Sequence, residues 1–288
     1  RYVELRGRLL QWLQDDRPAF WVNGKAGSGK SSLMSFIESD QRTEAALKTW
    51  ARTRKLYTFS FFFWRPGSPL QKSIAGLLRS ILYQVAKAVP AVVPQIISNR
   101  QSLTYTDWTQ PKLLEAIKTA FSVCQDDVNG AIFLMIDGLD EFEGSYGDLL
   151  GAVISLQSGS NIKLCVSSRP ETTFNDKLAT LPSISLQDLN FHDIRRYVAK
   201  QLESCGDTDL IHDVSNRAEG IFLWAVLVCQ SLVAGHEAGD DRETMAKRLS
   251  VVPSGLEDLF TSMFSKIDQL HRKDMCLYFA LLKLKEES

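Results

Sequence analysis

No apolar run in this 288-residue chain is long enough to cross a bilayer. The longest, Ile221 to Ala234, falls short of the roughly 18 residues a span needs, and Gln230 and Ser231 interrupt it, so it is expected to be a buried helix. Charge of one sign is also lacking: the formal net charge is −1, which gives no bulk attraction to nucleic acid or to an acidic membrane. Cysteine is sparse and odd in number, with Cys124, Cys165, Cys205, Cys229 and Cys276 widely spaced and mostly inside apolar runs. That usage suits reduced packing thiols in a cytoplasmic protein and offers no metal-ligand spacing. Internal repeats and low-complexity tracts are missing, and no signal peptide opens the chain. The first residue is Arg1 rather than Met, which is the expectation for a fragment of something longer.

What is present is a 44% hydrophobic composition over a length suited to about two domains. Short apolar runs alternate with longer amphipathic stretches, the pattern of an α/β fold around a parallel sheet. Five runs are predicted strands: Phe20 to Asn23, Leu56 to Trp64, Ala131 to Ile136, Ile162 to Ser167, and Ser183 to Leu186, the last alternating as an edge strand does. Ser68 with Pro69, and Thr109 with Pro111, are predicted helix starts. After Asp188 only helical periods remain. Ile194, Tyr197, Val198 and Leu202 mark one apolar face, and Leu256, Leu259, Phe260, Met263, Phe264 and Ile267 another. The expected division is an α/β domain over 1–188, a helical domain over 189–268 and the first helix of a truncated third domain over 269–288.

The chemistry starts in FWVNGKAGSGKSSLMSFI. Gly24, Lys25, Ala26, Gly27, Ser28, Gly29, Lys30 and Ser31 match G-x-x-x-x-G-K-[ST], between an apolar strand and an amphipathic helix. Glycines let the backbone turn its amides inward, making an anion cradle at a helix amino terminus. Lys30 adds a mobile positive charge, the Ser31 hydroxyl is placed to ligate Mg²⁺, and Ser32 is a candidate α-phosphate contact.

The run AIFLMIDGLDEF ends a predicted strand in Asp137, followed by Asp140 and Glu141. A carboxylate at a strand tip holds Mg²⁺ through water, and a second one orients the attacking water. Asp137 is assigned to the metal and Glu141 to the water, with Asp140 its competitor. The run IKLCVSSRP brings Arg169 to another strand end, where ligand-binding loops of an open sheet gather, so Arg169 is a candidate γ-phosphate sensor. The alternative is a surface arginine paired with Glu171 or capping carbonyls. Arg65, in FFFWRPG, occupies a topologically similar place.

Together FWVNGKAGSGKSSLM, DGLDE, SSRP, AEGIFLWAVLV and VPSGLEDLF resemble the NACHT class of STAND P-loop NTPases, with fungal NOD-like receptors and heterokaryon-incompatibility proteins the nearest in kind. The resemblance implies a five-stranded ASCE-type sheet with the Arg169 strand between the Gly24 and Asp137 strands. It implies a helical lid with Phe222, Leu223 and Trp224 near the base or ribose, a landmark at Pro253, and the start of a winged-helix domain. It further implies a slow switch, loaded with ATP or GTP and Mg²⁺ and resting with ADP or GDP. Self-assembly, an upstream cell-death effector and downstream sensing repeats complete what it implies. An AAA-type remodelling ATPase and a nucleotide-stabilised scaffold without turnover are the rival readings.

Overall fold

Strand β1, Ala19–Asn23, is buried along its whole length, as AFWVN requires of a strand covered on both faces. In the computed structural model, which describes residues 2–97, 108–126, 129–157, 159, 161–265, 267 and 269–287, β1 joins four more strands. These are β2 (Lys55–Phe62), β3 (Gly130–Asp137), β4 (Ile162–Ser168) and β5 (Ser183–Ser185), in the spatial order β2-β3-β4-β1-β5. The registered pairs are parallel: Asn23 lies opposite Ser168, Ile136 opposite Val166, and Phe62 opposite Asp137. The carboxyl ends of β1, β4, β3 and β2 therefore share one sheet edge, and β4 separates β1 from β3 as expected. The predicted edge strand is shorter than expected, because a helix begins at Leu186.

The chain forms two compact units. The first holds residues 3–23 and 30–184. It contains α1 (Tyr2–Gln14), α2 (Lys30–Ser39), α3 (Gln41–Ala51), α4 (Ile74–Ala88), α5 (Val92–Ile97), α6 (Gln110–Asp126), α7 (Tyr146–Leu156) and α8 (Thr172–Leu178). Its core lies between the sheet and these helices; Ile74, Leu77, Leu78, Ile81 and Val85 of α4 meet Tyr57, Phe59 and Phe61 of β2 in one apolar cluster. Each such side chain contributes about 1.5–3 kcal/mol through burial. Ser68 and Pro69 start a 3₁₀ turn, Pro69–Lys72, rather than the α-helix itself. Ser73 then caps α4 by accepting from the Gly76 amide.

Lys163 sits in the middle of β4 with no exposed surface. Its ammonium donates to the carbonyls of Trp12, Asp15 and Arg17 at 2.7, 2.8 and 2.9 Å. It also lies 4.5 Å from the Trp12 ring centroid and 5.2 Å from that of Trp50. Those carbonyls close the end of α1 and the turn into β1, so one buried cation ties the first helix to the sheet.

The second unit holds residues 24–29 and everything from Ser185 onward. It is helical: α9 (Leu186–Leu189), α10 (Phe191–Gln201), α11 (Thr208–Arg217), α12 (Phe222–Glu237), α13 (Arg242–Ser250), α14 (Leu256–Ser265) and α15 (Gln269–Glu287). Ile194, Val198 and Leu202 bury their face against Val214, Trp224, Val228 and Leu232. The face expected on α14 is buried only at Leu259; Phe260, Met263 and Phe264 are largely exposed. Hydrophobic period identifies a face but not what covers it. The unit begins at Ser185, and Leu186 and Leu189 of α9 are buried.

Candidate functional site

The phosphate-loop motif follows β1 directly. Residues 24–29 belong with the helical unit because their hydrogen bonds go there. Gln187 Oε1 accepts from the Lys25 amide at 3.2 Å, Asn190 Nδ2 donates to the Ser28 carbonyl at 2.6 Å, and the Leu223 amide donates to the Gly27 carbonyl at 3.0 Å. The Lys25 ammonium pairs with Glu219 at 2.9 Å. Within this loop the residues fit a bound phosphate chain. The Ser28 hydroxyl is buried without a hydrogen-bond partner, Gly29 has φ of +94° and open space where a Cβ would stand, and a Cβ on Gly24 would lie 2.5 Å from Ser28 Oγ. Buried hydroxyls are rarely left unpaired, so a polar ligand is the natural partner for Ser28.

Lys30 and Ser31 open α2 in the first unit, at the sheet edge shared by the ends of β1, β4 and β3. Lys30 is half-buried and its pKa is pushed below the ordinary lysine value by that burial, against the opposing pull of Asp140, Asp137 and Glu141 and with the repulsion of Arg169. Asp137, at the tip of β3, is 2% exposed. Burial raises its carboxyl pKa, while hydrogen bonds from Ser167 and Ser31 and the charge of Lys30 work the other way. Ser31 and Asp137 are thus in direct contact, two hard oxygen donors of the kind Mg²⁺ takes.

The turn after Asp137 explains the small residue in DGLDE. Gly138 has φ of +72°, a left-handed conformation, and its amide donates to Ser167 Oγ at 2.9 Å. Ser167 therefore binds both Asp137 and the first turn residue, joining β4 to β3 at the edge. From that turn Asp140 and Glu141 separate. Asp140 accepts from the Arg169 amide at 3.0 Å and meets Arg169 Nε at 2.9 Å. Glu141 Oε2 accepts from the Arg65 amide at 3.0 Å. Arg169 pairs with Asp140, not with Glu171 as the alternative had it, and Arg65 enters through its backbone.

The structure brings together Lys30, Ser31, Asp137, Asp140, Glu141 and Arg169. Ser32, next on α2, is exposed. Trp224 is fully buried and donates its indole N–H to the Pro253 carbonyl at 2.7 Å, so it is core rather than a base contact. Phe222 packs on Tyr197 with ring centroids 5.3 Å apart, and Leu223 stays partly exposed beside Gly27. Among the described residues there is no cluster of three or more His, Cys, Asp or Glu able to hold a metal by itself, and no helix is long and apolar enough to cross a membrane. Sequence reasoning missed Ser167, Gln187, Asn190 and Glu219, whose signal is only their fold position.

The chain is similar to proteins of known identity. The chain is 26% identical over 93% of its length to the vegetative incompatibility protein HET-E-1 of Podospora anserina, and spans 20% of that protein. The fold matches a chain in the structure of Drosophila ORC bound to DNA, with a TM-score of 0.50 and 11% identity over 94% of this chain and 64% of that one. The model of the family described as Nephrocystin 3, N-terminal, matches residues 6–169, from α1 through β4 to Arg169. With the phosphate-loop motif, the acidic strand tip and more than half the chain inside that match, this protein belongs to the Nephrocystin 3, N-terminal, family.

Proposed function

We propose that this chain is the nucleotide-operated switch of a larger receptor-like protein, binding a nucleoside triphosphate with Mg²⁺ on Gly24–Ser31 and hydrolysing it slowly. The observation that carries the reading is the contact between Ser31 and Asp137 with Lys30, Asp140, Glu141 and Arg169 around it. A loop motif alone recognises phosphate. A loop motif followed by two oxygen donors in contact and an arginine–carboxylate pair can also discriminate by charge.

Each residue then has a role. The amides of residues 25–31 and the Lys30 ammonium hold the phosphate chain, with Ser28 and Ser32 as hydroxyl contacts. Ser31 and Asp137 hold Mg²⁺, which when bound neutralises phosphate charge. Glu141, anchored on the Arg65 amide, orients water, because Asp140 is already committed to Arg169. Arg169 senses the terminal phosphate. Triphosphate and diphosphate differ by that phosphate and its charge, so their differential affinity is what shifts the population.

The likeness to an incompatibility protein supports carrying the switch into self-assembly, with an effector and sensing repeats elsewhere in the full-length protein, in a fungal innate-immunity or cell-death setting and in the cytoplasm. The base, adenine or guanine, is to be read from the nucleotide that copurifies with the chain, identified by chromatography and mass. A bound nucleoside diphosphate or triphosphate released on denaturation is the expected result. A chain that elutes without nucleotide and binds none on addition of Mg²⁺ with ATP or GTP contradicts the reading.

A further inference from the structure

Asn190 is one of the few buried polar residues of the helical unit, 9% exposed. Its side-chain amide donates to two carbonyls, Ser28 at 2.6 Å and Gly220 at 2.9 Å. Both partners are acceptors, so the group between them has to be a double donor; an amide NH₂ satisfies this and a carboxylate does not. Ser28 belongs to the phosphate loop, and Gly220 to the turn before α12.

That turn is held in an uncommon conformation. Glu219 and Gly220 both have positive φ, +45° and +79°. A Cβ on Gly220 would stand 2.1 Å from the Gln187 carbonyl oxygen, so only glycine allows the turn to press against α9. Left-handed backbone at a non-glycine residue persists only where its surroundings enforce it. Here the enforcement reaches the loop at several points: Asn190 at Ser28, Gln187 at the Lys25 amide, the Leu223 amide at Gly27, and Glu219 at the Lys25 ammonium.

We infer that Asn190 is a positioning residue for the phosphate loop, setting its readiness for a polyphosphate by clamping the Ser28 carbonyl to the Gly220 turn. The inference rests on the phosphate-binding reading proposed above. Its physical basis is preorganisation: a loop held with its amides inward binds without first being ordered, and a loop that spends most of its time elsewhere loses apparent affinity in proportion. The clamp, not the Lys25–Glu219 pair, carries the effect. That pair is about half exposed on both sides, and exposed ion pairs contribute little. Asn190 donates two short hydrogen bonds in a buried place, where an unmet carbonyl is costly.

The test compares the purified 288-residue chain with Asn190→Asp and Asn190→Ala. The probes are fluorescent ATP and GTP analogues with Mg²⁺, and inorganic tripolyphosphate as competitor. Asn190→Asp sets carboxylate oxygens against two carbonyls and is expected to weaken both nucleotide and tripolyphosphate about tenfold or more, by the same factor, with binding stoichiometry unchanged. Asn190→Ala removes the bonds without the repulsion and is expected to weaken them about fivefold, carrying the test if the aspartate variant does not fold. A merely structural role would leave part of the protein misfolded, lowering the binding stoichiometry with Kd unchanged; that result, or Asn190→Ala within twofold of the parent, overturns the inference. A parent chain that binds neither analogue nor tripolyphosphate overturns the phosphate-binding reading instead.

Discussion

Arg169 and Asp140 meet at two points: the Arg169 amide donates to Asp140 Oδ1 at 3.0 Å, and its guanidinium Nε meets Oδ2 at 2.9 Å. The Asp140 side chain is 5% exposed while that of Arg169 is 47% exposed, so the carboxylate is fixed and the arginine's outer end stays accessible. A fixed base with an accessible guanidinium suits an arginine that reports a terminal phosphate. Arg169→Ala is expected to cut the preference for triphosphate over diphosphate at least fivefold, measured as the ratio of the two dissociation constants. Asp140→Asn, which keeps an acceptor but loses the charge, should move the ratio the same way by less. An unchanged ratio in Arg169→Ala would assign the arginine to structure alone.

Glu141 and Asp140 compete in sequence for the water-orienting role, and their partners separate them. Asp140 is engaged by Arg169, whereas one oxygen of Glu141 accepts from the Arg65 backbone amide. Glu141→Gln is expected to bind triphosphate within about threefold of the parent and to hydrolyse it more slowly by about a hundredfold or more in single turnover, the size of effect expected of a general base. Hydrolysis at the parental rate would move the role to Asp140.

Lys163 makes a stability prediction independent of nucleotide. Replacing it with methionine keeps the stem and strands three buried carbonyl acceptors, a loss of about 2–4 kcal/mol. Burial pushes its pKa down to about 8, against the attraction of Asp15 and Asp16 and with the repulsion of Arg17. A lysine whose folded pKa lies below its unfolded value burdens the fold while charged. Between about pH 8 and the unfolded value of 10.5 the unfolded chain holds more protons, so Lys163's contribution rises with pH. Urea unfolding should therefore show a wider gap between parent and Lys163→Met at pH 9.5 than at pH 7. A gap that narrows contradicts the assignment.

Much of this was legible from residues. The runs AFWVN and GAIFLMID read as strands because apolar residues without helical period suit strands covered on both faces, and the phosphate-loop motif is local in sequence. Asp137 and Arg169 follow strand runs in the sequence, and parallel strands bring such ends to one edge. Ser167, Asn190 and Lys163 were not legible. Their partners lie 30, 162 and about 150 residues away, and a lysine inside IKLCV gives no sign that three carbonyls wait for it. The exposed face of α14 shows the converse: period predicts a surface that packs, and packing needs a partner that period does not name.

Lys30 is the positive side chain at the end of the loop, and in the proposed switch its charge would meet phosphate. The most direct test of that role is titration of the purified chain and of Lys30→Ala with fluorescent ATP and GTP analogues in Mg²⁺. Binding to the parent and a loss of at least a hundredfold in the variant, about 2.7 kcal/mol, is the predicted result. Binding by Lys30→Ala within threefold of the parent would contradict the phosphate-loop assignment and the switch built on it.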